Sequence, residues 1–153
     1  MPRRHLFLRI VLAYVCAGHI ATALLALLAN DWAISVGSFL YGASFDPTDQ
    51  FRYIIKPLGA FELGLGLLQA MAVRDPWRYR AVIDVTLVVL ALRLFQRVVF
   101  APDIFATFHI PASRHWLNTA HFAIVALLLV VVRLTLGTES GAPGRERLAG
   151  GRA

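Results

Sequence analysis

Seven side chains able to move protons, pair charge or hydrogen-bond stand inside otherwise apolar stretches: His19, Glu62, Arg93, Gln96, Arg97, Asn118 and His121. Groups of this kind are expensive to place among hydrocarbon and mark where chemistry should be sought. Glu62, in GlyAlaPheGluLeuGlyLeuGly (59–66), can act as general acid or base, with His121 as a second proton-transfer group. Arg93 and Arg97 can neutralise that carboxylate. His19 and His121, in separate segments, are the residue type that holds haem iron from two sides. His109, His115 and His121 lack a tight second ligand pair, so no metal site is expected. No nucleophile elbow or P-loop motif accompanies these residues.

The elements that must hold them are helices. Four apolar runs, 6–29, 54–73, 81–101 and 116–136, are each long enough to cross roughly 30 Å of hydrocarbon. A hydrophobic content of 58% exceeds that of an ordinary soluble domain. The expected fold is therefore all-α, a four-helix transmembrane bundle over 1–136, followed by a disordered cytoplasmic tail over 137–153 that is poor in apolar residues. The first run is too long for a secretory h-region, and Leu27 before Ala29 spoils a small-x-small cleavage site, so the run is expected to be retained. The single cysteine, Cys16, excludes a disulfide framework within the chain.

The formal charge is +6. The basic residues form no nucleic-acid motif, and no nucleic-acid partner is expected. Ten arginines (3, 4, 9, 74, 78, 80, 133, 145, 147, 152) fall on the side shared by the N-terminus, the second connection and the tail, which predicts both termini in the cytoplasm. The preference for arginine over lysine is that of a GC-rich bacterial gene, and the expected location is a multi-pass protein of the bacterial cytoplasmic membrane.

Depth follows from helical rise. Glu62 is eight residues from the start of the second run and Arg93 eight from the end of the third. The seven-residue turn 74–80 makes these runs antiparallel neighbours, so a Glu62–Arg93 ion pair is expected. Gly59, Glu62, Gly66 and Gln69 form one stripe, matched by Arg93, Gln96, Arg97 and Phe100 on the third run. Asp84, near the cytoplasmic end, is expected to be solvated or paired with Arg80 or Arg9, and Lys56 to snorkel. His19 and His121 differ in depth by about 7 Å, awkward for two ligands of one iron. Glu62, Arg93, Gln96, Arg97, Asn118, His121 and His19 all fall in the outer half, which predicts a polar cavity opening outward.

The connections carry their own signals. In 74–80, Asp75 is placed to cap the third helix with Pro76 in its first turn. Residues 30–53, with six aromatics from Trp32 to Tyr53, are expected to lie in the membrane interface or to form a lid, and AspProThrAsp (46–49) predicts a helix start capped by Asp46. Ser113 is a candidate cap for the last helix.

IleLysProLeuGlyAlaPheGluLeuGlyLeuGlyLeuLeu (55–68), ArgTyrArgAlaValIle (78–83), LeuArgLeuPheGlnArg (92–97) and IleProAlaSerArgHisTrpLeuAsn (110–118) resemble the BphX-like group of small bacterial four-helix membrane proteins. The resemblance implies a four-span protein, from a family first met among aromatic-degradation genes, with no established activity and no catalytic residues to transfer.

Three functional classes follow. The leading one is a non-enzymatic binding or accessory component that engages membrane lipids and a hydrophobic small molecule or membrane-protein partner. The second is a small membrane enzyme using Glu62 and His121 on a lipid-soluble substrate. The third is a haem or quinone protein using His19 and His121. Homo-oligomerisation through the glycine-bearing second helix would enlarge a site in any of them.

Overall fold

The computed structural model describes residues 3–139, with side chains over 6–136. The described chain is entirely helical: α1 (Arg3–Leu28), α2 (Asn30–Tyr41), α3 (Asp49–Arg74), α4 (Arg80–Val99), α5 (Ala101–Phe108) and α6 (Ala112–Glu139). Helix α6 thus continues past the expected tail boundary, and the remainder of the expected tail, 140–153, lies outside the described residues.

Local chemistry sets the boundaries. Ala29, at φ −142°, interrupts an otherwise continuous Leu/Ala-rich helix, so that 30–41 leaves as a separate helix. Helix α2 stops at Gly42, whose φ of 69° is the left-handed conformation of a helix terminator, and Ala43 N–H donates to Ser38 O at 2.9 Å. Thr48, and not Asp46, caps α3, its hydroxyl accepting from the Phe51 amide at 3.2 Å. Pro57 is carried inside α3, which begins well before the apolar run. Asp75 serves the turn, accepting from the Arg78 amide at 3.1 Å, and α4 begins only at Arg80 without a side-chain cap. Helix α6 begins at Ala112, so Ser113 is already inside it.

The long helices pack as two pairs, α1 with α3 and α4 with α6, and thinner α1–α6 and α3–α4 seams join the pairs. Glycine decides the first pair. A Cβ on Gly59 would stand 2.8 Å from Ala26 Cβ, and one on Gly66 would stand 2.7 Å from Ile20 Cγ1. Only glycine permits this approach of α3 to α1. The glycine stripe foreseen as facing the third run or a second protomer is therefore spent on the first helix. Gln69 of the same stripe does reach α4, donating to Thr86 Oγ1 at 3.0 Å.

Asp84 pairs with Arg133 of α6 at 2.5 Å, with a second bond at 3.2 Å, and not with Arg80 or Arg9. Both lie near the α3–α4 turn, and the fork of the guanidinium matches the carboxylate bidentately. Arg9 instead donates to the Arg74 carbonyl at 3.3 Å.

Toward that end an apolar cluster fills the space between the pairs, including Leu12, Ile83, Leu90, Leu129, Val132 and Leu136. The opposite end is covered by α2, the 42–48 loop and α5. Phe45 stacks edge-on against Phe51 and Phe108, Ser44 N–H donates to Phe108 O at 2.9 Å, and Arg52 pairs with Asp31.

The outer surface is apolar: Leu28, Phe61, Leu117 and Leu127 are exposed. Three helices, Leu6–Leu28, Asp49–Arg74 and Ala112–Leu136, are long and apolar enough to cross a membrane. Helix α4 is of similar length but carries Asp84, Arg93 and Arg97.

Candidate functional site

The half of the molecule beneath α2 and α5 is where the two helix pairs part. A cavity of about 410 Å³ opens there, within the roughly 300–1,000 Å³ of small-molecule sites. Its polar lining is Tyr14, His19 and Thr22 of α1, Tyr41 of α2, Glu62 of α3, Arg93 of α4 and His121 of α6, with Leu90, Phe122 and Val125 among its apolar walls. Tyr14, Ala17, Gly18, Ala21 and His121 are exposed, so this rim lies on the α1–α6 seam. A groove of about 540 Å³ lies on the α3–α4 seam, rimmed by exposed Leu58, Phe61, Leu92 and Gln96. His19, Glu62 and Arg93 line both spaces. The cleft thus runs between the helix pairs from one seam to the other, and these three residues stand at its middle.

Glu62 and Arg93 share that cleft without pairing. The Glu62 carboxylate accepts from Thr22 Oγ1 at 2.8 Å, and no cation of the described residues lies within 4 Å of it. The cause is the glycine-led approach of α3 to α1, which brings the stripe bearing Glu62 to Thr22. Arg93 stacks on the Phe122 ring, 4.6 Å from its centroid, and has no hydrogen bond or ion pair among the described residues. Arg97, buried, stacks on Phe122 at 5.2 Å and on Tyr41 at 5.0 Å. Two guanidinium groups therefore attend one aromatic ring.

The histidines differ in their engagement. His19 Nδ1 lies 3.0 Å from Val15 O, so Nδ1 carries a proton and donates it to that carbonyl. His121 Nε2 is 3.1 Å from the Tyr14 hydroxyl, a bond that bridges the α1–α6 seam. Haem ligation by both rings would need Tyr14 to release that nitrogen, or His121 to ligate through Nδ1. Among the described residues no three His, Cys, Asp or Glu side chains gather to hold a metal ion. His115 is wholly buried, its ring set edge-on to Phe105 and Trp116, and it donates from Nε2 to Arg97 O at 3.0 Å near the end of α4. Asn118 lies outside the cavity lining, where it ties α6 to Leu40 O of α2 at 3.3 Å.

Four residues of this arrangement escaped the sequence reading: Tyr14, Thr22, Tyr41 and Phe122. Tyr14, Gly18 and Thr22 recur at four-residue spacing on α1, a readable stripe of small and polar positions. Tyr41 and Phe122 gave no such signal, being aromatic residues in aromatic or apolar surroundings. Comparison with protein-family models, with curated proteins and with solved structures returned no match.

Proposed function

We propose that this chain is a four-span protein of the bacterial cytoplasmic membrane, with α1, α3, α4 and α6 as spans and both termini cytoplasmic, and that it binds a hydrophobic small molecule without transforming it. The arginine distribution supports the orientation, and the resemblance to the BphX-like group belongs to the same proposal. The observation that carries the binding reading is the cleft between the helix pairs, where His19, Glu62 and Arg93 line spaces reaching both seams. Polar groups at such depth, walled by apolar side chains and open toward the lipid-facing surface, are what an amphiphile dissolved in a bilayer would meet.

The test is untargeted mass spectrometry of organic extracts from the purified protein, beside a Tyr14→Trp, Val125→Trp variant whose cavity is filled. A small molecule enriched in the wild type and depleted in the filled variant is the expected result. Equal content in both defeats the reading. The second reading, an enzyme, draws on the placement of Glu62 and His121 in one lining. It predicts chemical conversion of the enriched compound, abolished in Glu62→Gln.

A further inference from the structure

Charge accounting around the cleft points to the class of ligand. Two guanidinium groups, Arg93 and Arg97, gather at Phe122; Arg93 lines the cavity, whose single carboxylate is Glu62, and Arg97 lies buried behind the lining. No carboxylate of the described residues lies within 4 Å of either arginine, and Glu62 is already bonded to Thr22. A guanidinium offers five donors in a fixed fork; those of Arg93 have no acceptor among the described residues. An unpaired cation among apolar walls is costly, and a ring face offsets only part of that cost. Arg93 and Arg97 set against Glu62 leave a single positive charge to be met.

We infer that the ligand is a lipid-soluble monoanion, a single-chain or aromatic carboxylate, whose head is held by the Arg93 guanidinium while its tail lies in the groove of the α3–α4 seam. This rests on the binding reading above and names its substrate class. The groove supplies the tail's surroundings, since Leu58, Phe61, Leu65, Val89 and Leu92 line it and Arg93 stands where it meets the cavity. A carboxylate fits the fork bidentately, which neither an ester nor an ammonium group can do. The volume of about 540 Å³ for this groove suits one chain or ring system in place of a two-chain lipid.

Native mass spectrometry of the full chain in a neutral detergent, titrated with decanoate, methyl decanoate, decylammonium and dioctanoyl-phosphatidylglycerol, tests this. Decanoate should bind saturably, at least tenfold tighter than its ester and its ammonium counterpart. Arg93→Gln should erase that preference, Arg93→Lys should keep part of it, and Arg78→Gln in the turn should leave it intact. Ester binding equal to decanoate overturns the anion assignment and leaves the binding reading standing. Binding of the two-chain phospholipid in preference to decanoate overturns the single-chain assignment. Failure of every probe to bind overturns the inference and the binding reading together. The comparison among probes on the wild-type protein does not require any variant to fold.

Discussion

Thr22 on α1 donates its hydroxyl hydrogen to Glu62 on α3 across 2.8 Å, so the carboxylate of the second long helix belongs to the first. Arg93, on the helix that follows Glu62 in the chain, is held by an aromatic ring instead.

Unfolding in detergent should reflect this division. Thr22→Val is expected to cost about 1 kcal/mol, the scale of an interhelical hydrogen bond in a membrane protein. In double-mutant cycles Glu62→Gln should couple to Thr22→Val and add simply to Arg93→Gln. A larger coupling between Glu62 and Arg93 than between Glu62 and Thr22 would falsify the assignment.

Glycines on one helix should respond in opposite ways. Gly59→Ala places a methyl 2.8 Å from Ala26 Cβ, which has no rotamer to adopt, and 3.2 Å from the Ala23 carbonyl oxygen. The helices must separate, at about 1–3 kcal/mol. Gly64 has nothing within 4 Å of a built Cβ, and Gly64→Ala should be neutral or stabilising through helix propensity. Thermal melts of the two variants side by side decide it; a lower melting temperature for Gly64→Ala than for Gly59→Ala refutes the packing argument.

Asp84 and Arg133 lock α4 to α6 near the α3–α4 turn. Asp84→Asn and Arg133→Gln should each lower the melting temperature, and the double variant should lose less than the two losses added together. Simple additivity in that cycle removes the pair. Arg80→Gln, at the start of α4, should leave the melting temperature within the range of surface changes.

Membrane placement is open to a labelling experiment. With Cys16 replaced by Ala, cysteines introduced at Arg114 and at Arg78 should react with an impermeant maleimide from opposite faces of the membrane, Arg114→Cys from outside and Arg78→Cys from the cytoplasm. Reaction of both from one face defeats the proposed set of spans, and a simple exchange of faces defeats only the orientation.

The helical class was legible because four long apolar runs leave little alternative, and the runs mark where the long helices lie. Helix–helix neighbours were less so. The seven-residue turn correctly joins α3 to α4 in antiparallel order, but adjacency in the chain does not decide which face packs closest. That was settled by Gly59 and Gly66 meeting Ala26 and Ile20, a complementarity between two segments some forty residues apart. Asp84 with Arg133 is readable by depth, since each lies three residues from the end of its apolar run on the same side, but an arginine there also serves as a topology signal and so does not announce a partner. The aromatic stretch 30–53 concealed a helix, since Trp, Phe and Tyr report a half-wet environment without reporting backbone conformation. His19, Glu62, Arg93 and His121 stand out in the sequence as polar among apolar neighbours, whereas Tyr14, Thr22, Tyr41 and Phe122, which line the same cavity, do not.

The seams on either side of the cleft carry a further consequence. Their rims are Tyr14, Ala17 and Gly18 on one side and Leu58, Phe61 and Leu92 on the other, while α2 and α5 roof the end nearest the cleft. If the long helices are set in hydrocarbon as proposed, an occupant would exchange with the bilayer and not with the buffer. Its occupancy is then governed by mole fraction among the lipids, so adding ligand-free vesicles should empty the protein where prolonged dialysis leaves it full.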